Sequence, residues 1–354
     1  MAEQNKNIKG RGSQFNPPIR FESIERIPER IEGEADLCPT TQLFRDASRT
    51  IIAYNKSPDV GFYASINTYR GCEHGCAYCY ARPTHEYLGF SAGLDFETKI
   101  IVKENAPELL REELSDPRWK PKVLAMSGVT DPYQPVERKI RLTRRCLEVL
   151  LEFRNPVIVI TKNNGVVRDL DLLSQLAQFQ AVAVFLSITT LDPDLCSILE
   201  PRTSRPEKKL EAVRILSQAG IQTGVMVAPV IPGLTDQEIP AIVEAATQAG
   251  ARFAGVVPLR LPYAVAPLFE AWLDTHLPGR KSKILNRIRS IRGGKLNDPN
   301  FGSRMAGEGI FADQIKALFE LACKKNGIRG NGPELSIRHF KFSSRGQLAL
   351  FDIK

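Results

Sequence analysis

The sequence predicts an α/β fold in which parallel strands alternate with crossover helices, a (βα)6 arrangement short of a complete eight-stranded barrel. Three observations predict it. From Ala64 onward, short apolar runs alternate with longer amphipathic stretches, the pattern of strand–helix repeats. Gly220 and Gly250 each stand between an amphipathic stretch and the next apolar run, where a helix end wants a left-handed residue. The residues that follow successive apolar runs are rich in Ser, Thr, Asp, Lys and Asn, and in a parallel barrel the active site lies at the carboxyl ends of the strands.

Residues 1–60 carry Pro, Gly and alternating charges, from Lys9-Gly-Arg-Gly12 through Asn16-Pro-Pro-Ile-Arg20, and predict an extended arm draped on the core. The six predicted strands are Ala64 to Thr68, Val123 to Ser127, Val157 to Thr161, Ala181 to Ile188, Gln222 to Ala228 and Ala254 to Leu259. Between them, Ala106 to Leu114, Ile140 to Phe153, Arg168 to Gln178, Lys208 to Ala219 and Gln237 to Ala249 have helical periodicity. After Leu259 the alternation stops, and Leu268 to Leu273, Ile284 to Ile291 and Ile315 to Cys323 predict further helices. The chain thus divides into an arm (1–60), a barrel core (61–260), a helical extension (261–325) and a tail (326–354).

With 354 residues, 43% of them hydrophobic, the chain is long enough to bury a core of barrel size. Forty-eight Lys and Arg against 40 Asp and Glu give a net charge of +8, which favours polyanionic partners without naming one. No apolar run approaches the ~20 residues of a membrane span, so no membrane association is expected. An odd number of cysteines, 7, and a polar amino terminus without a secretory signal predict a cytoplasmic protein with reduced thiols.

Cys72, Cys76 and Cys79 stand in Asn67-Thr-Tyr-Arg-Gly-Cys-Glu-His-Gly-Cys-Ala-Tyr-Cys-Tyr80. A four-iron cluster held by three thiolates keeps one iron open to an exogenous ligand, whereas four would close it for plain electron transfer. The alternative is a structural zinc site completed by His74. Zinc motifs usually present two separated ligand pairs, and no second CxxC or HxxxH half is present. Cys146 shares a helical stripe with Leu142, Val149, Leu150 and Phe153, and Cys196 and Cys323 lie in apolar helical contexts, so these three read as core filler. Cys38 falls in the arm and carries no firm reading.

The cysteine motif resembles that of the radical S-adenosylmethionine (SAM) superfamily. Further blocks narrow the likeness to the subgroup related to spore photoproduct lyase and described as DNA repair photolyase-like, over roughly residues 10–325. They are Ala81-Arg-Pro-Thr-His85, Thr130-Asp-Pro-Tyr-Gln-Pro135, Thr161-Lys162, Arg168-Asp-Leu-Asp171, Glu200-Pro201 and Pro229-Val-Ile-Pro-Gly-Leu-Thr-Asp236. The resemblance implies a partial (βα)6 TIM-type barrel, and an enzyme with a 4Fe-4S cluster and SAM as cofactors. An external electron donor then drives cleavage of SAM to methionine and a 5'-deoxyadenosyl radical. It also implies that Thr130 and Asp131 lie beside the SAM ribose or amino group, Lys162 near the methionine carboxylate, and Ser187 against SAM. Tyr78 and Tyr80 match tyrosines flanking the third cysteine, one of which relays a hydrogen atom in the lyase together with a cysteine placed before the Thr-Asp-Pro turn. This chain has Ser127-Gly128-Val129 there, so hydrogen return by that route is closed to it.

The tail carries a second signal. Gln347-Leu-Ala-Leu-Phe351 resembles the QLxLF peptide by which bacterial repair and replication proteins dock on the sliding clamp, with Leu348, Leu350 and Phe351 as apolar anchors and Gln347 at the groove edge. A terminal strand folded onto the barrel is the alternative. Arg280 to Lys295 holds seven basic residues and no acid, and Ile284, Ile288 and Ile291 give it an apolar face, so it predicts a packed helix turning cations to solvent as a phosphate-tracking surface would. The expectation is a radical SAM enzyme acting on nucleic acid and recruited by the clamp. Its rivals are a radical SAM modifier of RNA, peptide or small molecule, and a cluster-bearing DNA-binding or redox-sensing protein without turnover.

Overall fold

The structure is a computed structural model and describes residues 8–21, 39–328 and 332–342. Ten strands are present among them: β1 (Gln42–Arg45), β2 (Ile52–Tyr54), β3 (Ala64–Ile66), β4 (Tyr69–Arg70), β5 (Lys99–Val102), β6 (Leu124–Met126), β7 (Val157–Thr161), β8 (Val182–Ser187), β9 (Gln222–Val230) and β10 (Phe253–Pro258). Seven of them form one sheet in the order β10-β9-β8-β7-β6-β3-β2. From β3 to β10 every pair in that sheet is parallel, and β2 closes the far edge antiparallel to β3. These six parallel strands are the six apolar runs of the sequence, and with their helices they make the partial barrel. Strand β8 is buried along its whole length, as a strand covered on both faces requires.

Crossover helices at Ala106–Ser115, Leu142–Phe153, Leu170–Gln178, Pro206–Gln218 and Ile239–Gln248 bury their apolar stripes against the sheet. Cys146 is fully buried among Leu142, Val149, Leu150 and Phe153, where a small apolar side chain fits. Gly220 and Gly250 take φ of +77° and +106° just past their helices.

The structure departs from the expectations at four places. Residues 1–60 contribute β1 and β2 in addition to extended chain, because Gln42 to Arg45 find a parallel edge on β5 in a second sheet ordered β1-β5-β4. Strand β3 stops at Ile66 rather than Thr68, since the Thr68 carbonyl is taken by the Lys103 amide and Asn67 accepts from Val129 N–H with its side chain. A helix at Pro193–Leu199 went unpredicted, although Asp192 caps it by accepting from the Asp194 and Leu195 amides and Pro193 opens it. The basic segment forms the helix Lys281–Ser290, but several of its cations turn inward. Arg292 is 3% exposed and donates to the carbonyls of Pro258, Leu259, Ser303 and Arg304, while Lys281 and Arg287 pair with Asp274 and Asp236. Gln347 to Phe351, and Cys38, lie outside the described residues.

Candidate active site

At the carboxyl ends of the strands lies a cavity of about 770 Å³. Its wall includes Cys72, Cys76 and Cys79, Tyr78 and Tyr80, Thr130, Asp131, Lys162 and Ser187, so one space gathers every site residue singled out from the sequence. The loop after β4 carries the thiols and is braced on three sides. Arg82, wholly buried, donates through Nε and Nη2 to the Cys76 carbonyl and pairs through Nη2 with Glu97 Oε1 at 2.6 Å. Glu97 in turn accepts the amides of Gly12 and Ser13, which ties the amino-terminal segment to the cysteine loop. That segment approaches so closely that a Cβ at Gly12 would lie 1.7 Å from the Gly75 carbonyl oxygen; only glycine fits. On another side, Ala77 N–H donates to Leu199 O and Arg202 N–H to His74 O.

Below the thiols sits a buried polar cluster. Glu200, 1% exposed, accepts from Lys162 Nζ at 3.0 Å, Lys209 Nζ at 2.7 Å, Thr189 Oγ1 at 2.6 Å and the Tyr78 hydroxyl. Its carboxyl is held well below the usual range: burial alone would raise it, and the two lysines and their hydrogen bonds outweigh burial. Lys162 also donates to Thr189 Oγ1 and Ala228 O, so all three of its N–H groups are engaged and an incoming carboxylate would have to displace one. Asp131 is similarly occupied, accepting from Thr161 Oγ1, Tyr133 N–H and Lys162 N–H, with His74 Nδ1 at 3.5 Å. Thr130 donates to Gly71 O and accepts from Gln134. Ser187, by contrast, lines the cavity with no protein hydrogen-bond partner for its hydroxyl among the described residues. The two tyrosines also separate: Tyr78 is 5% exposed and its hydroxyl is closed in by Glu200 and Thr189, whereas Tyr80 is 51% exposed and donates to Gly128 O at 2.9 Å.

The donor set fits an iron–sulfur cube. Burial pushes each of the three thiols above its ordinary value, so a metal must supply the driving force for deprotonation, as coordinated iron does. No three His, Cys, Asp or Glu side chains among the described residues converge closely enough to hold a single ion. Zinc needs its sulfurs all at ~2.3 Å from one centre. Thiols that share one cavity wall without meeting at a point instead suit a cluster that takes one thiolate per iron. His74 Nδ1 and Glu73 Oε2, beside Cys72, are buried without hydrogen-bond partners.

The radical SAM superfamily model matches residues 66–246. The chain belongs to the radical SAM superfamily. An uncharacterized protein of Mycobacterium tuberculosis is 36% identical over 255 residues, covering 70% of this chain and 74% of its own. A protein of Pseudomonas phage M6 named radical SAM Nalpha-GlyT isomerase is 27% identical over 47% of this chain and 33% of that one. Among solved structures, a spore photoproduct lyase mutant with bound AdoMet and dinucleoside spore photoproduct superposes with a TM-score of 0.59 at 15% identity, over 84% of this chain and 85% of that one. The fold is therefore the radical SAM partial barrel, and the protein is a radical SAM enzyme whose cofactors are a 4Fe-4S cluster and SAM. No helix among the described residues is long and apolar enough to cross a membrane.

Sequence reasoning singled out Glu200-Pro201 without giving Glu200 a role, and passed over Arg82 and Glu97 as structural partners. Nothing local marks Arg82 and Glu97 as a pair, since they meet only when the cysteine loop folds back on the helix Leu94–Thr98. Glu200 was findable as the acid that ends a capped helix just ahead of Arg202, Arg205, Lys208 and Lys209.

Proposed function

We propose that this enzyme acts on nucleic acid. In this reading Cys72, Cys76 and Cys79 ligate the cluster, which when bound supplies the electron that cleaves SAM, and Ser187 contacts SAM with its free hydroxyl. Thr130 and Asp131 hold the turn after β6 against the cysteine loop and the end of β7, and Lys162 and Tyr78 work through Glu200, setting the floor of the cavity. Tyr80, on the open side against Gly128, is the catalytic candidate, occupying the region where the lyase-like pattern would place a thiol.

The observation that carries the reading is the cavity's rim. Tyr80 and Tyr87 are 51% and 73% exposed, and the Arg260 guanidinium lies 5.1 Å from the Tyr80 ring centroid, with Arg304 also on the wall. Aromatic faces interleaved with cations are what unpaired bases and their phosphates recognise. The shared fold with a lyase crystallised with a dinucleoside photoproduct supports the same direction. The two named relatives are a lyase and an isomerase, so the reaction outcome is left to the assay.

The test is 5'-deoxyadenosine formation by the reduced, reconstituted protein with and without DNA or RNA oligonucleotides, damaged and undamaged. Stimulation by one nucleic acid class is expected; turnover that no nucleic acid changes would remove the reading. Recruitment by a sliding clamp through Gln347, Leu348, Leu350 and Phe351 is a separate part of the proposal. The described chain docks on the core as far as Lys341, with Phe340 6.0 Å from Phe153 and Lys341 N–H donating to Phe153 O, and Gln347 comes six residues later. Deleting 347–354 should abolish clamp binding and leave the melting temperature unchanged. A large drop in melting temperature would mean the tail is core.

A further inference from the structure

Two cations of the cavity wall have side chains with no hydrogen-bonded acceptor among the described residues. Lys103 follows β5 and is 8% exposed, yet its amine has no hydrogen-bonded acceptor among the described residues. Arg260 follows β10 and lies over the Tyr80 ring, with no hydrogen-bonded acceptor for its guanidinium among the described residues. Other cations on the same wall are satisfied: Arg70 by Asp46 and Ser48, Lys162 by Glu200, and Arg304 by Asp59 and Ser57. Burying a charge without a partner is costly, and proteins keep such groups where a ligand completes them. The two approach the cavity from opposite sides of the large sheet, because β10 is one edge strand while Lys103, after β5 of the second sheet, donates its amide to Thr68, just past β3 near the other edge.

We propose that Lys103 and Arg260 are the substrate's anion sites, each taking one phosphoryl oxygen group and so bracketing the part of the substrate presented to the radical. The identity of the ligand as a nucleic-acid backbone rests on the function proposed above; the anion sites themselves rest on the two unbonded cations. Supporting them, burial and then the neighbouring Arg70 guanidinium hold the Lys103 amine below the usual lysine range, outweighing the attraction of the Asp46 and Glu113 carboxylates, neither of which is hydrogen-bonded to it, and an anion hydrogen-bonded to it would oppose that shift. Lys103 belongs neither to the cysteine loop nor to the Glu200 cluster. Two cations at separate strand ends suit a ligand with two separated anionic groups rather than a single carboxylate.

The experiment uses the full-length reconstituted protein and its Lys103→Gln and Arg260→Gln variants, each first shown to carry cluster absorption. Binding of a fluorescein-labelled single-stranded DNA oligonucleotide is measured across a salt series, with SAM binding alongside. Each substitution is expected to weaken the oligonucleotide roughly tenfold or more at low salt, and to lower the log–log salt slope by about one. A methylphosphonate oligonucleotide, lacking backbone charge, should bind the wild type and both variants alike. Lys103→Gln removes a charge that burial and Arg70 disfavour on balance, so its melting temperature should equal or exceed that of the wild type.

Equal oligonucleotide affinity in the wild type and both variants would overturn the anion sites while leaving the nucleic-acid reading standing. If the wild type binds a nucleoside 3',5'-bisphosphate, whose two phosphates are separated, but no oligonucleotide, and each variant weakens it, the anion sites stand and the nucleic-acid reading falls. Lost SAM binding in Lys103→Gln with oligonucleotide affinity intact would assign the lysine to the cofactor and defeat the proposal. A lowered melting temperature with intact oligonucleotide binding would make Lys103 structural and defeat it equally.

Discussion

On the cluster side of the cavity, Arg82, Glu97, Glu200 and Lys209 are each 1% exposed or less, and each has a bonded partner of opposite charge. Elsewhere on the wall and at the rim, Lys103 and Arg260 have no hydrogen-bonded acceptor among the described residues, and Tyr80 and Tyr87 stand open to solvent. The two regions obey the same electrostatics and reach opposite outcomes. A buried ion pair adds little net stability, yet removing one partner is expensive, so the cluster wall is fixed in a single arrangement. The rim gives up that internal satisfaction, which leaves its charge and aromatic faces available to something outside the chain. A cofactor that stays bound needs rigid walls. A substrate that comes and goes needs unmet valences.

The comparison breaks most sharply at the thiols. Replacing Cys76 with Ala should remove cluster absorption and 5'-deoxyadenosine formation together, and a variant that keeps either would show that the cluster wall is not built around this loop. Next in size is Arg82→Met, which strands Glu97 and frees the Cys76 carbonyl. Denaturant unfolding should register a loss of about 3 to 5 kcal/mol, the usual result of stripping one partner from a buried pair. A loss below ~1 kcal/mol would mean that water replaces the guanidinium and the wall is softer than its hydrogen bonds suggest.

Acid probes the same region from another direction. His85, fully buried against Phe90 and Phe96 with neither ring nitrogen bonded, has its pKa lowered by burial from 6.5 to about 4. The unfolded chain therefore binds a proton that the folded chain refuses between those two values, and stability falls as pH drops through that window. The cost should reach about 3 kcal/mol at its lower end. Because the cluster is itself acid-sensitive, the measurement is the difference between the wild type and His85→Asn across pH. The variant's curve should be flatter, and parallel curves would dismiss the histidine.

The smallest stability effect belongs to the rim. Tyr87→Ala should change unfolding free energy by no more than ~0.5 kcal/mol, as an exposed substitution does, while weakening oligonucleotide binding by ~1 to 3 kcal/mol if a base stacks there. The reverse ranking, with stability lost and binding kept, would erase the distinction between the two regions.

Much of this protein was legible along the chain. Short-range pattern determined the six parallel strands, because apolar runs and helical periodicity are local properties that a parallel sheet demands of its strands. The three-cysteine spacing is local in the same sense, and the fold brings all three thiols to one cavity wall. Tertiary structure alone decided the rest. Arg82 and Glu97 pair across a fold-back, and Glu200 joins Lys162 to Lys209 beneath Tyr78. That pairing turned Lys162, which looks from sequence like a free carboxylate partner, into an engaged one. It also left Lys103, unremarkable in Ile-Ile-Val-Lys103, unbonded in a cavity wall. Whether a charge is satisfied depends on which distant residues fold against it, and no spacing rule carries that information.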